Sequence, residues 1–167
     1  MPHENLLNAV KTAMKAEKDS VTVYSEAAAR ASGDVQAFFQ ERAEEEKKHF
    51  NWLLDYYRRM EQNLPPSEFR NLIGSDSGKP DSFLITDDFL RRIAGDQYLT
   101  TAIATAVLME ATAQRHYRKA AEETVHNELR DFFIALADWE DKHYRDLIKI
   151  QEESERYWFD LQRFEPF

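Results

Sequence analysis

Apolar residues recur at steps of three and four along four long stretches, and each apolar line is interrupted near its middle by an acidic side chain. The first stripe reads Leu6, Val10, Ala13/Met14, Glu17, Val21, Tyr24, Ala28. The second reads Val35, Phe38/Phe39, Arg42/Ala43, Glu46, His49/Phe50, Leu53, Tyr56/Tyr57, Met60. In the third the line is Leu99, Ile103, Ala106/Val107, Glu110, Ala113/Gln114, Tyr117, Ala121. In the fourth it is Leu129, Phe132/Phe133, Leu136, Trp139/Glu140, His143, Leu147, Ile150. This period belongs to helices with one buried face. It predicts helices over about 3–31, 35–62, 97–125 and 127–155. Ser32-Gly33-Asp34 stops the first, with Asp34 as N-cap of the second. So short a connection makes the two antiparallel neighbours.

Between the second and third helices the pattern fails. Pro65, Pro66, Gly74, Gly78 and Pro80 make 63–96 a crossover, too long for a tight hairpin. A helix of about 28 residues is about 40 Å long, and about twenty extended residues can run back along it. Thr86-Asp87-Asp88 suits the start of a short helix over about 87–94, and Asp96 is placed to cap the third long helix. The tail over 157–167 is aromatic, from Tyr157-Trp158-Phe159 to Phe167, and is expected to pack on the bundle or on another subunit. The whole chain, 1–167, thus reads as one all-α domain: a four-helix bundle with a long crossover between helices two and three.

Composition narrows the chemistry. Four Gly and five Pro in 167 residues suit a helical protein. The absence of Cys excludes disulfides, thiolate metal sites, iron–sulfur clusters and a cysteine nucleophile within this chain. It also suits a reducing compartment. The first residues, Met1-Pro2-His3-Glu4-Asn5, have no basic start and no apolar core of signal-peptide length, and the longest apolar-looking run, Thr101 to Met109, is far short of the roughly 20 residues that cross a bilayer. The expectation is a cytoplasmic protein without a membrane partner. A net charge of −9 argues against nucleic acid as a partner.

The interruptions in the four stripes are themselves a pattern. Glu17 is followed by Tyr24, then Glu46 and His49; Glu110 is followed by Tyr117, then Glu140 and His143. A helical hairpin is used twice. Residues three apart on a helix share a side, so each Glu-x-x-His can aim an oxygen and a nitrogen at one point. A third such pair, Glu123 and His126, falls on the opposite face of its helix from Glu110 and is expected to be solvent-exposed, as are His3 and His116. A lone Glu-x-x-His is more often a surface pair than a site. Six residues at repeated spacing on buried stripes are another matter, because four buried carboxylates repel one another without a compensating cation. Two divalent metals balance them, with one terminal carboxylate and one imidazole for each metal and two carboxylates bridging.

The spacing Glu17, Glu46-x-x-His49, Glu110, Glu140-x-x-His143, with its long break between helices two and three, resembles the ferritin-like di-iron carboxylate superfamily. Within it, Ala43-Glu44-Glu45-Glu46-Lys47-Lys48-His49 and the Glu17–Tyr24 pair are most similar to rubrerythrin-type proteins, here lacking the rubredoxin domain. The resemblance implies a ferritin-like bundle holding two iron ions, with manganese possible at either position. It places Glu17 and His49 on one metal, Glu110 and His143 on the other, and Glu46 and Glu140 between them. Tyr24 and Tyr117 would lie about 10 Å along the bundle from the Glu of their own helices, as hydrogen-bond donors to ligands or as electron-transfer groups. Core packing is an equal reading of both. Two features depart from the rubrerythrin pattern: Ala113 stands where those proteins carry a further Glu, and there is no Cys. The six-residue set is equally like that of bacterioferritin and of di-iron hydroxylases.

The expected function is a non-haem di-iron oxidoreductase that oxidises bound Fe(II) with O2 or H2O2, as a peroxide scavenger or a ferroxidase. An external electron donor, rubredoxin-like or a flavin reductase, would close the cycle, and a homo-oligomer such as a homodimer is expected. The alternatives are hydroxylation of an apolar substrate, non-enzymatic iron storage, and a helical interaction protein with a structural metal.

Overall fold

The computed structural model describes residues 3–62, 64 and 85–162. Five helices are present and no strand occurs among the described residues: α1 His3–Arg30, α2 Gly33–Glu61, α3 Asp87–Gly95, α4 Gln97–Glu123 and α5 Asn127–Gln162. The architecture is an all-α, ferritin-like bundle. Long helices α1 and α2 form one hairpin and α4 and α5 the other. Contact between α1 and α4 joins the hairpins, while α3 lies against α5, α4 and α2. Pro65, Pro66, Gly74, Gly78 and Pro80 of the expected crossover, and the last five residues of the expected tail, lie outside the described residues.

Local chemistry sets the helix ends. Ser32, not Asp34, precedes α2, and Asp34 sits in its first turn with Oδ1 accepting from Val35 N at 2.8 Å. The reversal between α1 and α2 requires Gly33, whose φ of +60° lies in the left-handed region that side chains with a Cβ disfavour. The Thr86 hydroxyl caps α3 by accepting from Phe89 N at 3.1 Å. Asp96 caps α4, its Oδ1 accepting from Tyr98 N at 2.8 Å. At its far end α4 stops at Glu123, two residues earlier than the stripe predicts. There two β-branched residues, Thr124 and Val125, meet and Thr124 is extended.

Helix α5 differs most from expectation, running 36 residues to Gln162 where an end in the mid-150s and a separate tail were expected. No Gly or Pro falls within it, so nothing breaks it. Tyr157 consequently packs from the helix onto the bundle core, and Trp158 Nε1 donates to Gln97 Oε1 at 3.3 Å. Phe159 and Leu161 remain more than half exposed.

The core comes in two apolar clusters separated by a polar layer. One, at the α3 end, gathers Tyr24, Phe38, Phe39, Phe89, Ile103 and Leu147 among others. The other gathers Val10, Leu53, Tyr117, Phe132, Phe133 and Leu136 among others. Each long helix passes from one cluster to the other: Ala13 to Tyr24, Ala43 to Leu53, Val107 to Ala113, Leu136 to Leu147. The acidic interruptions of all four stripes therefore meet at one level of the bundle. At about 1.5–3 kcal/mol per large side chain, the two clusters supply the burial that holds this layer shut.

Candidate metal centre

Glu46 and His49 project from one turn of α2, and Glu140 and His143 from one turn of α5, with Glu17 of α1 and Glu110 of α4 facing them. None of the six side chains is more than 1 % exposed. The structure brings together all six residues that the spacing singled out. Their donor atoms form two overlapping groups, Glu17, Glu46, His49 and Glu140, and Glu46, Glu110, Glu140 and His143. Within each group the atoms lie within 4.8 Å of one another. Glu46 and Glu140 belong to both.

The imidazoles point the same ring nitrogen inward. His49 Nδ1 is 3.1 Å from Glu140 Oε1 and 3.6 Å from Glu17 Oε2. His143 Nδ1 is 3.1 Å from Glu46 Oε1 and 3.8 Å from Glu110 Oε1. The two rings are stacked at 20° with centroids 6.1 Å apart.

Close approach here is not hydrogen bonding. Glu17 Oε2, Glu46 Oε1, both Glu140 oxygens and all four ring nitrogens are buried without an aligned hydrogen-bond partner. An unsatisfied buried polar atom costs about 1–3 kcal/mol, so this concentration of them at one level calls for a different partner. Carboxylate oxygen with imidazole nitrogen suits iron or manganese. The residues present fit a pair of divalent ions.

Electrostatics agree. Burial, reinforced by the neighbouring Glu46 and Glu140 charges, raises Glu17 well above the usual carboxylate range. Burial and the same two neighbours raise Glu110 likewise. Burial also opposes ionisation of Glu46 and Glu140, but contacts with their partners outweigh it. Glu46 is held well below its ordinary value and Glu140 is lowered to about 2. Burial disfavours charge on His49 and His143, yet the surrounding carboxylates raise both well above the ordinary imidazole value. Without metal, the raised values of Glu17, Glu110, His49 and His143 favour protons in the layer that offset its carboxylate charge. Divalent cations can take the place of such protons.

The tyrosines do something that spacing along one helix does not foretell. Tyr24 of α1 donates to Glu110 Oε1 of α4, and Tyr117 of α4 donates to Glu17 Oε1 of α1. Each bridges the two hairpins instead of serving its own helix. Burial and the adjacent carboxylate raise both phenols well above their ordinary value, so both stay protonated donors. Tyr117 thus orients Glu17 Oε1 and leaves Oε2 toward His49, whereas Glu110 Oε1 both accepts from Tyr24 and is the oxygen 3.8 Å from His143 Nδ1.

Three further residues surround His143. Its Nε2 lies 3.0 Å from Glu45 Oε2, a distance that permits a hydrogen bond although the present alignment is not ideal. Arg42 Nη1 donates to Glu45 Oε2 at 2.9 Å, and its Nη2 donates to Asp146 Oδ2 at 2.8 Å. Burial opposes ionisation of Glu45, but His143 and Arg42 outweigh it and lower the carboxyl to about 2. A charged residue on the buried α2 stripe was the available signal for Arg42. Glu45 and Asp146 lie off the stripes, so nothing local marks them. His126 is exposed, as expected, but lies beyond the end of α4. His116 departs from expectation: it is half-buried, with Nε2 3.0 Å from Ala9 O.

Comparison with known protein families finds a match to the model described as Rubrerythrin over residues 8–151. No curated protein and no solved structure matches. The matched span contains all six clustered residues and both tyrosines. No helix among the described residues is long and apolar enough to cross a membrane.

Proposed function

The chain belongs to the rubrerythrin family, and on that premise we propose that it is a non-haem di-iron oxidoreductase that uses O2 or H2O2 to oxidise bound Fe(II). The observation that carries this reading is the pair of donor groups sharing Glu46 and Glu140. Glu17 and His49 would complete one iron position, and Glu110 and His143 the other. Two Fe(II) would supply the two electrons that, with two protons, reduce H2O2 to two waters. The protein holds the six donors in a layer closed above and below by apolar clusters, which keeps bulk water from the donors. Tyr24 and Tyr117 keep their phenolic protons directed at Glu110 Oε1 and Glu17 Oε1, which fixes those carboxylates. An external donor, rubredoxin-like or a flavin reductase, would return the electrons. We place the protein in the cytoplasm as a homo-oligomer.

Aerobic addition of Fe(II) tests the proposal. It should produce near-ultraviolet ferric absorption that saturates at about two irons per chain, with matching consumption of O2 or H2O2. No absorption change and no oxidant consumption at that loading would exclude the oxidase reading. Size-exclusion chromatography separates peroxide scavenging from iron storage, since a dimer leaves no cavity for a mineral.

One observation favours hydroxylation of an apolar substrate as a second reading. A groove of about 350 Å³ runs between α1 and α4, and its surface is largely apolar, with Leu108, Met109 and Ala113 in its wall. Ala113 is one turn from Glu110. An apolar molecule co-purifying with the protein and displaced by Ala113→Trp would favour the hydroxylase.

A further inference from the structure

The second helices of the two hairpins are related by a constant step in the chain, and that step exposes a difference. Glu46 and His49 recur 94 positions later as Glu140 and His143. By the same step Arg42 corresponds to Leu136, Glu45 to Trp139, and Trp52 to Asp146. Around His143 the positions are polar and connected: Nε2 faces Glu45, Glu45 is held by Arg42, and Arg42 is held by Asp146. Arg42 is 5 % exposed, and its guanidinium also lies over the Phe38 ring at 5.4 Å. Around His49 the equivalent positions are aromatic. Its ring lies 5.1 Å from Trp139 and 5.6 Å from Trp52, and those two indoles are 5.5 Å apart; both Nε2 atoms lack an aligned hydrogen bond, but His143 Nε2 has the Glu45 carboxylate at 3.0 Å.

The consequence lies in how imidazole binds a metal. Ligation through Nδ1 leaves a proton on Nε2, and a carboxylate accepting that proton fixes the tautomer, orients the ring and makes the ligating nitrogen more basic. Loss of such a partner typically lowers metal affinity by about 10–100-fold. Glu45, Arg42 and Asp146 together also add one net negative charge beside His143. His49 receives neither contribution.

We propose that the two metal positions are unequal: Glu45, clamped by Arg42 and Asp146, is a positioning residue that makes the Glu110–His143 position tight and first to fill, while the Glu17–His49 position, backed by Trp52 and Trp139, is weaker and exchangeable. The inference rests on the two-metal reading of the site. It adds an order of filling and a residue that sets it.

Anaerobic titration of the metal-free protein with Co(II), followed by calorimetry and tryptophan emission, tests it. Two binding steps separated by about tenfold or more are expected. Quenching of Trp52 and Trp139 should accompany the second equivalent, since both indoles adjoin His49. Anomalous scattering at one equivalent should place Co(II) beside His143. Glu45→Leu should weaken the first step by about 10–100-fold and leave the second nearly unchanged. Glu45→Gln keeps an acceptor oxygen and should retain the tight step, which also provides a test if the leucine variant fails to fold. Equal steps in the wild type, quenching with the first equivalent, or loss of the tight step in Glu45→Gln overturns the inference. Failure to bind two Co(II) per chain would instead remove the two-metal reading beneath it.

Discussion

The α1–α2 and α4–α5 hairpins present the same set of donors and surround them differently. Each contributes one Glu from its first helix and a Glu-x-x-His from its second, all buried to the same degree. Outside that set the correspondence ends. On one side a buried arginine between two carboxylates backs the imidazole, and on the other two indoles do. The lesson concerns what the two halves share. Donors to a shared centre are tied to one another by geometry and charge, so the two halves match in them. The groups behind the donors touch only their own side and can differ, which allows two chemically matched positions to behave differently.

The sharpest way to break the comparison is to remove what both halves share. Glu140→Ala deletes a residue common to both donor groups and should bring bound metal from about two per chain toward zero by elemental analysis. His126→Ala, at the exposed third Glu-x-x-His, should leave it unchanged. Equal losses would mean that the buried pairs are not the site.

Removing one side is a smaller step. Glu17→Ala and Glu110→Ala should each lower loading from about two to about one, and anomalous maps should show the remaining metal beside the histidine of the intact half. Loss of both metals from either variant would show that neither position exists without the other.

Protons provide the next comparison. Metal-free, Glu17, Glu110, His49 and His143 all have raised values in the folded chain, which favours their protonated forms. Loading should therefore release protons, measurable by calorimetry in buffers of different ionisation enthalpy. Because the loaded protein carries fewer protons, affinity rises with pH until the raised values are passed. For folding the sign is opposite. Raised groups contribute stability that is complete below their unfolded values and lost as pH climbs through the folded ones, so above about pH 6.5 the metal-free protein should weaken as pH rises. Stability that increased over that range would contradict these shifts.

Smaller effects separate the halves further. Tyr24→Phe and Tyr117→Phe each remove a donor from a buried carboxyl of the opposite hairpin, and each should cost about 1–3 kcal/mol in denaturant unfolding of the metal-free protein. The crosswise pairing predicts similar losses, so a large difference would argue against it. The smallest effect concerns the connections. Gly33→Ala should destabilise by about 1–2 kcal/mol, because alanine at φ +60° is strained. The α4–α5 connection over 124–126 contains no glycine and no such dependence.

The two classes of site residue differed in how readily they could be read. Glu17, Glu46, His49, Glu110, Glu140 and His143 stand out because a polar residue on an apolar stripe is a local contradiction, visible within a single helix. Glu45 and Asp146 contradict nothing locally. Either would suit any solvated helix face, and they matter only because α2 and α5 lie side by side with Arg42 between them. The length of α5 escaped for a different reason. An aromatic run suggested a tail, whereas helix continuation needs only the absence of a breaker and a surface for Tyr157 and Trp158 to cover.

The order of residues alone was enough to specify the helices, their buried faces and the six polar residues that meet at one level, because a period of 3.6 residues fixes which side chains share a side whatever the helix packs against. Packing in three dimensions settled who faces whom. It took each tyrosine across to the other hairpin's glutamate, gave one histidine a carboxylate and the other two indoles, and set all four acidic interruptions at one level. Those outcomes depend on the rotation and height of one helix against its neighbours, which arise from packing two apolar clusters at once and leave no mark in any single segment.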